Sequence, residues 1–328
     1  MNTRISRRAA LAVTGAAVMN PSWVHGQTQS WPTRPLKMVV PFAPGGASDN
    51  IARLISDQLA RRLGQAVVVD NKPGGATIIG VDAVAKAPGD GYTMLMAGVG
   101  SYSVLPAMKK SLPFSIDKDF AMVALVCYTP SILVTGSDKP YASLTDFIMA
   151  ARANPGALRY AHYGEGGANH LVGAMLEDAA EIRLEGIPYK GASDAKFALL
   201  RGDIDLSFET LSSVGGEIKS GRVRALAVGG TARSNLLPTV PSLKEFGLAK
   251  AAAQPFFGIT VASQTPVPIR ERLSKEIQDI MKLPEIKDRA ASLYLEPVAM
   301  GPDEMRQMVV RETENYRRIA RQLKLSME

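Results

Sequence analysis

A chain in which short apolar runs break at glycine turns and then take up helical spacing is constrained toward a sheet flanked by helices, and this chain does so three times. Leu36-Lys37-Met38-Val39-Val40-Pro41-Phe42 suits a buried parallel strand, and Ala43-Pro44-Gly45-Gly46-Ala47-Ser48-Asp49 interrupts it. Ile51, Leu54, Ile55, Leu59 and Leu63 then recur at helical spacing, with Gly64 as the stop and Ser48 or Asp49 as the expected cap. The second instance is the strand Leu158 to Tyr163, the turn Gly164-Glu165-Gly166-Gly167-Ala168, and a helix through Leu171, Val172, Met175 and Leu176 with Asn169 as its cap. In the third, Tyr189-Lys190-Gly191-Ala192-Ser193-Asp194 follows a strand and opens a helix predicted over Ala195 to Arg201.

A loop of this kind ends at a helix N-terminus, whose first N–H groups lack intrahelical partners and carry partial positive charge. Glycines such as Gly45 and Gly46 let an anion approach that backbone without an arginine. One such loop is common structural furniture of α/β proteins; three in one chain favour a cleft between two lobes that gathers helix N-termini. No glycine loop here ends in the Gly-Lys-Ser/Thr of a P-loop. Gly164 to Asn169 has half of the dinucleotide fingerprint and lacks its last glycine.

The first 26 residues read as an export signal: Arg4, Arg7 and Arg8 precede the apolar stretch Ala9 to Met19, and Val24 and Gly26 give a small-residue cleavage site before Gln27. Ser6-Arg7-Arg8-Ala9-Ala10-Leu11 also fits the twin-arginine form. Removing the signal lowers the formal charge from +7 to +4, with the remaining Lys and Arg scattered among Asp and Glu, so a nucleic-acid partner is not expected. The 328 residues suffice for two lobes of ordinary size, and a monomer is the default. The single cysteine, Cys127, lies in the apolar run Met122 to Tyr128 and is expected in a buried strand.

Catalytic and metal chemistry find little support. His162 and His170, the two histidines after the signal, fit no metal-ligand spacing. Ser115-Ile116-Asp117-Lys118 matches S-x-x-K without its companion motifs, and no G-x-S-x-G elbow occurs. Asp203 and Asp205 read as solvated caps in a turn. No cofactor, no metal and no enzymatic activity are expected.

Several segments together resemble one family. They are Trp31-Pro32-Thr33-Arg34-Pro35-Leu36, Val39 through Asp49, Leu63 through Gly75 (with Asp70-Asn71-Lys72-Pro73-Gly74-Gly75), and Asp90-Gly91-Tyr92-Thr93-Met94-Leu95. Pro188-Tyr189-Lys190-Gly191, Gly202-Asp203-Ile204-Asp205 and Arg224-Ala225-Leu226-Ala227-Val228 complete the set. Through these the chain resembles the Bug-type (TctC-like) substrate-binding receptors of tripartite tricarboxylate transporters over nearly its whole length after the signal.

The resemblance implies an α/β, two-lobed, type-II periplasmic-binding-protein-like fold: two Rossmann-like domains joined by a hinge. Lobe one would be 27–130 plus 256–328 and lobe two 131–255, with Gln254-Pro255-Phe256-Phe257-Gly258 as the return crossing. It implies a periplasmic receptor that holds a small carboxylate (a di- or tricarboxylate, an acidic amino acid or an aromatic carboxylate) in the cleft and serves membrane permease subunits. A ligand-presenting adaptor for a membrane sensor kinase would use the same binding chemistry, and a periplasmic hydrolase would need a nucleophile–base pair that is not visible. Carried over by position, the ligand set is Phe42, Gly46, Ala47, Ser48 and Asp49 in lobe one, and Gly164, Gly167, Asn169, His170, Gly191, Ala192 and Asp194 in lobe two. The chain departs from the family pattern at Ser101-Tyr102-Ser103, at Glu209 where Asp is common, and at Glu165, so Ser101 and Glu209 join the set as expected determinants of ligand choice.

Overall fold

Sheet order fixes where a ligand site can form in this molecule. The computed structural model describes residues 31–164, 167–253 and 255–322, with the side chain of Ala192 left out. The predicted export signal over 1–26, Glu165 and Gln254 lie outside the described residues. In chain order the first elements are β1 (Leu36–Val40), α1 (Ala47–Leu63), β2 (Val67–Asn71), α2 (Ile78–Ala85), β3 (Thr93–Gly98), α3 (Leu105–Met108), α4 (Ile116–Asp119) and β4 (Phe120–Tyr128). Then come β5 (Ser131–Gly136), α5 (Leu144–Ala153), β6 (Arg159–His162), α6 (Ala168–Ala180), β7 (Glu185–Pro188), α7 (Ala192–Leu200), β8 (Ser207–Thr210), α8 (Leu211–Lys219) and β9 (Val223–Val228). The chain finishes with β10 (Phe256–Ala262), α9 (Val267–Met281), α10 (Pro284–Ser292), β11 (Glu296–Met300) and α11 (Pro302–Gln322).

The first sheet runs β11-β4-β10-β3-β1-β2. Within it β1 is parallel to β2 and β3, while β10 is antiparallel to both β3 and β4. The second lobe repeats the scheme: β6 is parallel to β7, a parallel bridge from Tyr160 to Leu206 sets it beside the start of β8, and β5 pairs antiparallel with β8 and β9. Each lobe therefore orders its three parallel strands 2-1-3, β2-β1-β3 and β7-β6-β8, with an antiparallel neighbour, β10 or β5, beside the third. The segment that leaves β4 and the one that enters β10 are bonded to each other, since the Thr129 N–H donates to the Pro255 carbonyl at 2.9 Å.

Apolar spacing explains the layers. Met38, Val39 and Val40 of β1 are buried on both faces, and Ile51, Ala52, Ile55 and Leu59 turn one face of α1 onto the sheet. Gly64 closes α1 at φ 69°, the left-handed stop expected for it. Cys127 lies fully buried in β4, and burial pushes its thiol up to about 12, so it is not a reactive group at neutral pH. Helix α11 joins two cores: Met305, Met308 and Val309 pack with Leu95 and Leu125 of the first sheet, whereas Tyr316, Ile319 and Ala320 pack with Leu133, Leu171 and Phe208.

Local starts differ from the sequence expectation in one consistent way. Gly46, Gly167 and Gly191 occupy the three N-cap positions, none with a side-chain cap bond, so Ser48, Asp49 and Asn169 fall inside the first turn instead of capping it. The third helix begins at Ala192, three residues before the predicted Ala195. Asp205 is a further correction: it is only 7% exposed, accepting from Lys139 Nζ at 2.8 Å and from the Arg159 N–H at 2.9 Å, so it ties β6 to the β5 side of the lobe. Asp203 is exposed and pairs with Arg201, as a solvated turn carboxylate should.

Candidate functional site

In an open α/β sheet the crevice lies beyond the carboxyl ends of the strands, where successive connections depart to opposite sides. Here that point falls between β1 and β3 in the first lobe, and between β6 and β8 in the second. The glycine loops follow β1 and β6, so both stand at the predicted crevice of their lobes.

The β1–α1 loop is held from beneath. Gly45 takes φ +85°, a conformation natural to glycine, and leads into Gly46 in extended backbone. Asp49, 2% exposed, reaches back to accept the Gly45 N–H at 2.9 Å, Arg53 Nε at 3.0 Å and Asn71 Nδ2 at 3.0 Å. Asn71 also donates to the Phe42 carbonyl at 3.1 Å and accepts from Arg53 at 3.2 Å. Burial alone would push the Asp49 carboxyl up. The bonds from Arg53, Gly45 and Asn71 outweigh it and hold the group below the usual carboxylate range. The Arg53 charge offsets that of Asp49, so this carboxylate does not cancel the positive end of α1 for an arriving anion.

Asp49 is thus scaffold, while Ala47 and Ser48 place their N–H groups in the first turn of α1. Phe42, just after β1, sets its ring edge-on to Phe257 of β10, centroids 6.3 Å apart. Ser101 is fully buried and donates its proton to Thr77 Oγ1 at 2.9 Å.

In the second lobe Gly164 takes φ +108° and Gly167 opens α6. Asn169 donates to the Phe208 carbonyl at 2.6 Å. His170 stacks on the buried His162, ring centroids 4.8 Å apart and planes 24° from parallel. Glu209 is 3% exposed and accepts three hydroxyls: Tyr163 at 2.7 Å, Ser207 at 2.7 Å and Ser213 at 3.0 Å. Burial and the neighbouring Glu209 together push the Tyr163 phenol well up, so it stays a donor at any physiological pH. Glu209 therefore braces the loop after β6 against the start of α8. Gly191 lies in extended backbone before α7, whose first turn carries Ala192 and the exposed Asp194.

Asn71, Arg53, Thr77, Phe257 and Tyr163 are the site residues that sequence reasoning passed over. Asn71 alone had a visible signal, standing in the Asn-Lys-Pro-Gly-Gly segment. A separate cavity of about 580 Å³ lies between α5, α6 and the end of α11, lined by Arg152, Glu177, Arg183 and Ile319. It contains no glycine loop, and two of its polar side chains are engaged: Arg152 donates to the Ala180 carbonyl and Glu177 accepts the Leu184 N–H. Among the described residues, no group of three or more His, Cys, Asp or Glu could hold a metal, and no helix is long and apolar enough to cross a membrane.

Comparison with known proteins agrees with this fold. The profile described as Tripartite tricarboxylate transporter family receptor matches residues 51–325. The UPF0065 protein of the tcbD-tcbE intergenic region of Pseudomonas sp. (strain P51) is 35% identical over 323 residues, covering 98% of this chain and 96% of that protein. BugT of Bordetella pertussis is 32% identical over 294 residues, covering 89% and 90%. Among solved structures, an R. palustris protein with adipate superposes at TM-score 0.75 with 27% identity, covering 90% of this chain and 99% of that one. MatC from Rhodopseudomonas palustris with bound malate superposes at TM-score 0.70, also with 27% identity, covering 88% and 99%. With a 2-1-3 order of parallel strands in each lobe, a glycine loop after the central strand of each, and a family profile spanning most of its length, this chain belongs to the tripartite tricarboxylate transporter receptor family, the Bug or TctC type of two-lobed solute-binding protein.

Proposed function

We propose that this protein captures a small carboxylate in the crevice between its lobes, on the outer side of the cytoplasmic membrane, and delivers it to the permease subunits of a tripartite tricarboxylate-type transporter. The observation that carries the reading is the placement of the Gly45-Gly46 and Gly164-Gly167 loops at equivalent positions of two like sheets, each opening a helix whose N–H groups suit a carboxylate oxygen. Relatives of the same fold solved with malate and with adipate support a dicarboxylate as ligand. In this reading the lobes close on the ligand as a hinge, and one carboxylate lies on each loop.

A thermal-shift screen of ligand-stripped protein against aliphatic di- and tricarboxylates, acidic amino acids and aromatic carboxylates tests the proposal. A ligand that binds only the native state must raise Tm by mass action, by about 2.7 kcal/mol of stability at a hundredfold excess over Kd. Gly46→Leu is the matching control. Gly46 has ordinary backbone angles, and the nearest atom to a Cβ there, the Ala43 carbonyl oxygen, is 3.8 Å away, so the fold accepts the side chain while the loop loses its access. The expected result is an unchanged ligand-free Tm with the carboxylate shift lost. No shift from any carboxylate in the wild-type protein would overturn the reading.

A further inference from the structure

Gly74, Gly75, Ala76 and Thr77 carry four successive positive φ angles: +124°, +55°, +51° and +80°. Glycine adopts such angles freely, but a β-branched threonine in the left-handed region is a steric outlier and persists only where its surroundings hold it. Two bonds do so. The Thr77 N–H donates to the Gly74 carbonyl at 3.0 Å, and Ser101 Oγ donates to Thr77 Oγ1 at 2.9 Å.

The two hydroxyls differ in access. Ser101 is fully buried in the π-helical turn Gly100–Val104 that leaves β3, so its proton is used and no ligand can reach it. Thr77 is half-buried, accepts that proton, and keeps its own, for which the described residues offer no acceptor. A hydroxyl that already accepts one hydrogen bond is the stronger donor of the next. Its position is also the right one. Thr77 follows β2, Phe42 follows β1 and Ser101 follows β3, three adjacent parallel strands at the crevice end. The helix that Thr77 opens is seated against the first loop, for a Cβ on Gly80 would stand 2.8 Å from Pro41 Cβ.

We propose that Thr77 is the ligand-touching hydroxyl of the first lobe, donating to a carboxylate oxygen held over the β1–α1 loop. Ser101 is then a positioning residue that fixes the Thr77 rotamer and aims its proton. The assignment rests on the carboxylate reading above and adds a specific donor to it.

Calorimetric titration with succinate, malate, adipate, citrate, aspartate and benzoate tests it, using wild type, Thr77→Val, Thr77→Ser, Ser101→Ala and the Thr77→Val/Ser101→Ala pair. Valine keeps the branched shape and removes the hydroxyl, so loss of a hydrogen bond to a charged oxygen should weaken Kd about tenfold or more. Thr77→Ser, which keeps the hydroxyl, should stay within about threefold of wild type. Ser101→Ala should weaken binding in the wild-type background and add nothing to Thr77→Val, the non-additivity expected of one chain of bonds. Unaltered affinity in Thr77→Val, with wild type binding, overturns the assignment and leaves the carboxylate reading standing. Equal effects of Ser101→Ala in both backgrounds overturn the positioning role. Should wild type bind none of the six, the carboxylate reading falls and the assignment with it. If Thr77→Val does not fold, Thr77→Gly, which suits the left-handed turn, decides the same question.

Discussion

Asp49 and Glu209 are buried carboxylates beside a glycine loop, and in each the protein itself occupies the oxygens that a ligand-binding role would need free. Sequence position alone placed both in the ligand set; several of their donors are near neighbours in the chain, but Asn71 and Tyr163 are brought to them only by the fold. For Asp49 the consequence is measurable. Its carboxyl is held lower in the folded protein than in the unfolded chain, so the stabilisation is fully present above the unfolded value of about 3.9 and is lost as pH falls through the folded value. Asp49→Ala should therefore cost about 1 to 3 kcal/mol at pH 7, since the Gly45 N–H and one Asn71 N–H lose their acceptor. In urea titrations the gap between variant and wild type should narrow as the pH is lowered below about 4. A gap that stays constant from pH 7 to pH 3 would show that the carboxylate charge contributes nothing.

At the scale of elements, the strand–glycine–helix units were legible because each rests on local signals: apolar period, glycine and a helix stop. What escaped were features with no local signal. The caps moved because a glycine N-cap leaves its work to backbone and to a third-position carboxylate, as at Gly46 and Asp49. The turn at Ala76 and Thr77 runs against the propensity of both residues, and Lys139 reaches Asp205 across 66 positions of sequence. Helix α11 is the largest such case. Its first turns belong to the core of the first sheet and its last turns to the core around Leu171, and Arg318 adds an ion pair to Asp178 of α6 at 3.2 Å. Tyr316→Ala should therefore cost about 3 to 5 kcal/mol. The loss should lower one shared urea midpoint for both lobes, because the helix connects them. Two separated transitions in the variant, with only one displaced, would show that α11 stabilises a single lobe.

Over the whole molecule, the lobes touch at a seam as well as at the segments joined by Thr129 and Pro255. Glu296 of β11 accepts from Ser234 Oγ at 2.6 Å and from the Asn235 N–H at 2.7 Å, and the Tyr294 ring lies so close to α8 that a Cβ on Gly215 would come within 2.8 Å of it. On the hinge reading proposed above, such a seam is expected to limit how far the crevice opens without ligand. Glu296→Ala should raise the radius of gyration of the ligand-free protein in X-ray scattering and leave that of the carboxylate-saturated protein unchanged; an equal radius in both ligand-free proteins would remove the seam from the account. The order of strands carries a further consequence, one for synthesis. Because β10 lies between β3 and β4, both of those strands keep an open edge until Phe256–Ala262 has been made, whereas every strand of the second lobe is complete by Val228. The domain begun first is thus the last that can close, and its pairings are long-range ones that form slowly. In the interval the open edge of β3 and both edges of β4 are exposed to association with other strands, which makes this a stretch of synthesis where a chaperone has much to cover.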